Sequence, residues 1–368
     1  GNTYEKIVTV ENAYQYGEWI GHRYAERKNI LWCLGGDRQP IHKQKDDYRN
    51  VWRRMAEGLG KGVTGQDLKY NENHKLWEKL LITYHACFEM ETGECSTFSY
   101  WTDEEAWISF IMLQSGHGTT VKNYELIKRE YERELTMPVW DGEPAYEAMP
   151  TCWPITGDAC FHKADIVRKR AYWSLLAGAF GYTYGHCNVW CSISEQERNF
   201  ISKTDWFESL SSEGSQQIKY MHAAIESLQL YNSQPCQEIL EEQQKREDTL
   251  EEHVQAAITQ NGTNLCIYFQ KAGKETLDVD KFSEGQKEYF GWWYNPQNGK
   301  FYTTEMEETT KAIVYNGENH TLKVKTPEAD KEQDWIFILR KEESEVPVKV
   351  IENVEEVKNV EVKKVFEW

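Results

Sequence analysis

The sequence predicts an α/β domain built from parallel β/α units, followed by a small all-β module. Three observations lead there. From residue 1 to about 232, short apolar runs alternate with amphipathic helical stretches. Polar and aromatic side chains gather just after the apolar runs, where the C-terminal ends of parallel strands would lie. From Val254 the pattern changes to short apolar runs separated by turn residues, the grammar of antiparallel sheet.

The elements follow in order. A helix is expected over 12–27, where Tyr16, Trp19, Ile20 and Tyr24 are spaced to share a face. A strand at 30–34 runs into Gly35-Gly36, which keep the backbone slim, and then into Asp37-Arg38. A helix at 46–58, a strand at 80–85, an apolar run at 107–113 and a charged helix at 124–134 continue the series. The run 137–140 leads into Asp141-Gly142-Glu143-Pro144, and a helix at 167–180 leads into 181–186. The tips then carry Asp37 with Arg38, Tyr84 with His85, Gln114 with His117, Asp141 with Glu143, and Tyr184 with His186. In β/α barrels this end is the catalytic face.

A helix at 215–230 closes the first domain, taken as 1–235, and the charge-rich stretch 236–253 reads as a helical linker. Strands are expected at 254–259 and in NLCIYFQ beyond the Asn261-Gly262 turn, then at 288–294, 312–315, 320–324 and 335–339. Together they make a β-sandwich over 254–341, with an acidic tail at 342–368.

Composition narrows the function. A chain of 368 residues suits one large domain and a smaller one. Aromatic residues make up 13%, with 15 Trp and 21 Tyr, enough for stacking surfaces as well as a core. A net charge of -18 argues against nucleic acid, because no basic face would offset phosphate. No apolar run approaches the roughly 18 to 20 residues of a membrane span. The nine cysteines are odd in number, scattered and without a CxxC pair, which fits reduced thiols and a cytoplasmic compartment and speaks against structural zinc.

The carboxylates suggest chemistry. Glycosidic cleavage needs one carboxyl group to protonate the leaving oxygen and, in most such enzymes, a second across the sugar. Asp37 and Glu143 stand at two tips that would face each other across a barrel mouth, with Asp141 as the competing candidate. Arg38 could pair with either carboxylate, and His85, His117 and His186 could tune them or bind sugar hydroxyls. Trp32, Trp140 and Trp190 could offer stacking faces. A zinc or manganese site from the same histidines and carboxylates is the rival, but no HxH or HExxH spacing occurs, so no metal or other cofactor is expected.

These residues carry a resemblance. LGGDR at 34–38, WRRMAEG at 52–58, TYH at 83–85, MLQSGH at 112–117, DGEPAYE at 141–147 and AYWSLLAGAFGYTYGH at 171–186 resemble the apiosidase-like glycoside hydrolases, family 140 and its relatives. WWYNPQNG at 292–299 and DWIFIL at 334–339 resemble the β-sandwich that follows the barrel there, often labelled collagen-binding.

The resemblance implies a (β/α)8 TIM barrel in which Asp37 is the general acid/base and Glu143 the nucleophile of a retaining mechanism. By their place at the strand tips and their side-chain chemistry, Arg38, His85, Gln114, His117, Asp141, Tyr184, His186 and Trp190 are candidates for binding an oligosaccharide or polysaccharide substrate. The resemblance also makes 30–34 strand four, so the chain holds strands four to eight of a partial barrel. The missing N-terminal segment would then be a partner, and any signal peptide would lie within it, which leaves export open. A noncatalytic carbohydrate-binding protein is the alternative.

Overall fold

The computed structural model of the chain describes residues 7–42, 46–89, 91–151, 161–194, 204–328 and 330–349. The expected tail lies mostly outside these residues, as do Cys152 and Cys160; the seven described cysteines are free thiols. Two compact units form, one from Gly1–Ser215 with Tyr231–Pro235, the other from Gln216–Leu230 with Cys236–Trp368.

The first unit runs α1 (Val10–Tyr24), β1 (Trp32–Gly35), α2 (Arg49–Thr64), β2 (Ile82–His85), β3 (Ile111–Leu113), α3 (Asn123–Tyr131), β4 (Val139–Asp141), α4 (Ala164–Leu176), β5 (Ala179–Tyr182), α5 (Cys187–Trp190) and α6 (Trp206–Ser209). The five strands are parallel, as the β/α pattern predicts, and form two ladders. β1 pairs with β2, in register Trp32 with Ile82 to Gly35 with His85. β3, β4 and β5 form the other, with a bulge between Val139 and Trp140.

Between the ladders, hydroxyl groups supplement a single backbone bond, the Ser109 N–H donating to the Ile82 carbonyl at 2.8 Å. The Thr83 hydroxyl donates to the Phe110 carbonyl at 2.7 Å, and the Thr97 hydroxyl donates to the Tyr84 carbonyl at 3.0 Å. The Met112 N–H is held by both hydroxyls, at 3.2 and 3.0 Å. Ser109 adds a third link, its hydroxyl donating to the Leu80 carbonyl at 2.7 Å.

Three expected elements shift for local reasons. α2 continues to Thr64 because its stop is Gly65, at φ 74°, whose N–H closes on the Lys61 carbonyl at 2.8 Å. α4 ends at Leu176 rather than 180 because Gly178, at φ 107°, turns the chain into β5. Of the run 107–113 only its last three residues are strand; Trp107 and Ile108 are core without being sheet.

The aromatic face expected on α1 is not the one it buries. Tyr16, Trp19 and Tyr24 are exposed, and the buried stripe is Ala13, Gly17 and Gly21. This stripe meets Gly58 and Gly62 of α2 so closely that the helices touch by backbone. A Cβ at Gly58 would stand 2.1 Å from the Tyr14 carbonyl oxygen, and one at Gly62 2.3 Å from that of Glu18. Small residues at four-residue spacing remove the side chains that would otherwise hold two helices about 8 to 10 Å apart.

The second unit contains most of α7 (Glu213–Leu228), the short α8 (Glu241–Lys245), and strands β6 (Val254–Thr259), β7 (Asn264–Phe269), β8 (Lys274–Asp278), β9 (Glu288–Asn295), β10 (Lys300–Tyr302), β11 (Ile313–Asn316), β12 (Thr321–Lys325) and β13 (Trp335–Arg340). An antiparallel sheet runs β10–β9–β13–β7–β6, with β11 also on β9, and β8 pairs with β12 as a separate ribbon. Both contribute to one core that includes Ile267, Phe269, Leu277, Trp293, Leu322, Val324 and Phe337.

β8 and β10 escaped the sequence reading because KETLD and KFY are short and charged. The stretch expected as a linker is part of this unit: Ile239 and Leu240 are fully buried. Glu275 on β8 accepts the N–H groups of Glu242 and Gln243 at 2.6 and 3.2 Å, capping the first turn of α8. No described helix is long and apolar enough to cross a membrane.

Candidate active site

The C-terminal ends of the parallel strands bring Asp37 and Glu143 together. Asp37 follows β1 through three consecutive residues of positive φ: Gly35 at 84°, Gly36 at 124° and Asp37 at 48°. Only glycine adopts such angles freely, and Asp is among the few side chains that tolerate the left-handed region. Gly35 has a second reason to lack a side chain, since a Cβ there would lie 2.7 Å from the Tyr84 ring. The slim backbone expected to admit a sugar therefore admits a tyrosine. Tyr84 in turn donates its hydroxyl to the Arg38 carbonyl at 3.1 Å, fixing the turn that presents Asp37.

Glu143 lies two residues beyond β4. The Gly116 N–H donates to its carbonyl at 2.9 Å, and the Gly142 N–H donates to Leu113 O at 2.9 Å, so the loop is anchored to the end of β3. At Gly142 a Cβ would sit 2.4 Å from the Met112 methyl. The side chain is thus delivered by backbone bonds and by a position where a larger residue would have to displace the Met112 side chain.

Around the Glu143 carboxylate stand His85 and His117. His85 Nε2 is 3.1 Å from Oε2, a distance suited to charge pairing though too far off line for a hydrogen bond. His117 Nε2 is 3.4 Å from Oε1. Burial pushes this carboxyl up, but the two imidazoles outweigh it and hold its pKa at about 2. Gln114, almost wholly buried, donates to Glu143 Oε1 at 2.8 Å and to Asp37 Oδ1 at 3.1 Å.

Asp37, His85 and Glu143 place one ligand-type atom each within 4.8 Å of one another. The nearest carboxylate oxygens of Asp37 and Glu143 are therefore no more than 4.8 Å apart. Arg38 pairs with Asp37, not Glu143, at 3.4 Å and with both groups well exposed.

Other predicted residues stand apart from this cluster. Asp141, the rival carboxylate, has no exposure; its Oδ2 accepts from Ser174, Ser115 and Asn123 at 2.7, 3.0 and 3.3 Å. Burial raises its pKa against those hydrogen bonds. A sealed carboxyl beneath the mouth cannot touch a sugar, which removes it as a nucleophile and as a substrate ligand. His186 is buried too, its Nδ1 accepting the Asn188 N–H at 3.1 Å as the cap of α5. Tyr184 donates to Glu147 Oε2 at 2.6 Å, and Trp190 is exposed on α5.

Three contributors were missed. Tyr146 packs edge-on against His117, ring centroids 4.8 Å apart, and its pKa is raised by burial and by the charges of Glu143 and Asp37. His162 Nε2 lies 2.7 Å from the His117 carbonyl and steadies that loop. The Cys87 thiol is pushed up to about 12 by burial and by neighbouring Asp37 and Glu143. Tyr146 could have been found, because it sits inside the DGEPAYE stretch from which only the carboxylates were taken.

Residues 1–232 match the family described as "Apiosidase-like, catalytic domain", and residues 235–340 match the "Putative collagen-binding domain of a collagenase". Among solved structures, one titled "Glycoside hydrolase" aligns at a TM-score of 0.70 and 23% identity, over 90% of this chain and 69% of its own. A glycoside hydrolase family 5 structure from Bacteroides vulgatus ATCC 8482 aligns at a TM-score of 0.67 and 22% identity, over 90% of this chain and 66% of its own. Likeness at this level of identity carries the fold. Among curated proteins none matches the sequence significantly.

Proposed function

From the premise that the chain belongs to the apiosidase-like glycoside hydrolase family, we propose that it cleaves a glycosidic bond in a plant or microbial polysaccharide with retention of configuration, apiosyl linkages being the first to try. Asp37 is the general acid/base and Glu143 the nucleophile. The supporting observation is the separation of their carboxylates, with nearest oxygens within 4.8 Å. Retaining enzymes hold the pair about 5 to 5.5 Å apart, whereas inverting enzymes need about 6.5 to 9.5 Å to admit a water.

The chemistry runs in two balanced steps. Protonated Asp37 gives its proton to the glycosidic oxygen as ionised Glu143 attacks the anomeric carbon; the C–O bond to the leaving group breaks and a glycosyl ester forms. Asp37, now a carboxylate, takes a proton from water, which attacks the same carbon and releases Glu143. The two histidines keep Glu143 ionised, and Arg38 sits against Asp37 at the exposed side. The antiparallel unit serves as a rigid accessory to the catalytic unit.

The reading is tested by incubating the protein with 2-deoxy-2-fluoro glycosyl fluorides and locating the label by peptide mass. A glycosyl ester on Glu143, absent in Glu143→Gln, supports it. Turnover by Asp37→Asn or Glu143→Gln at the unmodified rate overturns it, and binding across an oligosaccharide panel without turnover would point to a noncatalytic carbohydrate-binding protein.

A further inference from the structure

We infer that Gln114 is a positioning residue, which holds Asp37 and Glu143 by one oxygen each and thereby leaves the other oxygen of each carboxylate for the chemistry. This rests on the two-carboxylate reading above and revises the expectation that Gln114 binds substrate.

The orientation of the amide is forced by its neighbours. Its Oε1 accepts the Phe88 N–H at 2.7 Å, and only an oxygen can face that donor. Its NH2 must then point the other way, towards Glu143 Oε1 at 2.8 Å and Asp37 Oδ1 at 3.1 Å, both pure acceptors when ionised. Two N–H bonds meet two carboxylate oxygens, so both donors are spent. The side chain is 5% exposed, and no donor remains for a sugar hydroxyl.

The consequence is a division of labour within each carboxylate. An oxygen that accepts an amide N–H is the weaker base and the weaker nucleophile, since its lone pair is already engaged. On Glu143, Oε1 carries Gln114 and also faces His117, whereas Oε2 faces only His85, off line. Oε2 is the attacking atom. On Asp37, Oδ1 carries Gln114, and Oδ2 meets Arg38 at 3.4 Å in an exposed contact, with the Cys87 thiol also beside this carboxylate. Oδ2 carries the proton that is transferred.

The test uses Gln114→Glu and Gln114→Met in the full chain. Gln114→Glu keeps an acceptor for the Phe88 N–H, so it tests the lost NH2 without orphaning a backbone donor; Gln114→Met tests both losses without adding charge. With the 4-nitrophenyl glycoside that the unmodified protein turns over, kcat falls about 100-fold while KM changes less than threefold, the signature of misplaced reacting groups. A KM that rises tenfold at constant kcat overturns the inference, because it would make Gln114 a sugar ligand. Carbon-13 titration of the Glu143 carboxyl gives a readout without substrate: it should titrate at higher pH in Gln114→Met. An unmoved titration overturns the inference by itself, and absence of turnover in the unmodified protein overturns the glycosidase reading instead.

Discussion

The buried end of β4, where Asp141 sits, and the mouth just beyond it, where Glu143 sits, are two residues apart in the chain and built on opposite principles. Asp141 is sealed among three neutral donors, and burial moves its pKa up. Glu143 is partly open and flanked by two imidazoles, which hold it at about 2. At Asp141 hydrogen bonds keep a buried carboxyl in place without fully compensating its lost hydration; at Glu143 the two imidazoles compensate and overshoot. The same residue chemistry thus yields a fastener in one place and an ionised reactive group two residues later.

The contrast can be broken most sharply at Glu143. Glu143→Gln should lower glycoside turnover by on the order of 10⁴-fold or more and also lower the melting temperature, because the stability that the ionised carboxylate contributes is lost with it, measured by initial rates and calorimetry. His117→Ala should come next, lowering kcat about 10- to 100-fold and moving the Glu143 titration from about 2 towards 4.5. The sign follows from the depressed folded pKa. The stability it contributes is present above the unfolded value and lost as pH falls through about 2, so the variant should acid-unfold at a higher pH than the parent.

At the sealed carboxyl the expected loss is of stability rather than rate. Asp141→Leu leaves three buried donors without their acceptor and should cost about 1–3 kcal/mol in urea unfolding, with turnover within tenfold of the parent. The smallest effect belongs to the exposed pair: Arg38→Ala should change stability by less than about 1 kcal/mol and kcat only a few-fold, in the same two assays.

Much of this was legible because β/α periodicity is local. Apolar runs ending in Asp37, His85, Gln114 and Glu143 announce strand tips, and parallel strands place such tips at one end of a sheet. Strand boundaries were less legible. The first strand was expected at 30–34 and lies at Trp32–Gly35, since Leu31 is exposed and Gly35 still pairs with His85.

Asp141 and Glu143 could not be ranked from the sequence, because the donors that seal Asp141 come from Ser115, Asn123 and Ser174, three distant positions. The glycine face between α1 and α2 was hidden for a related reason. Periodicity weights large apolar residues, and there the contact is made by residues that have no side chain to weigh.

The seam between the two parallel ladders has a consequence for how this sheet can change. A backbone ladder is indifferent to sequence, so mutation seldom unpicks it. Here, apart from the backbone bond between Ser109 and Ile82, the join depends on the hydroxyls of Thr83, Thr97 and Ser109, and a hydroxyl can be deleted by a single codon. Valine at Thr83 or Thr97 would keep the shape and remove the stitch. The sheet that carries Asp37 and His85 on one side and Glu143 on the other is thus divided by a heritable fault line, along which the two halves of the site could drift apart in evolution or be uncoupled by design.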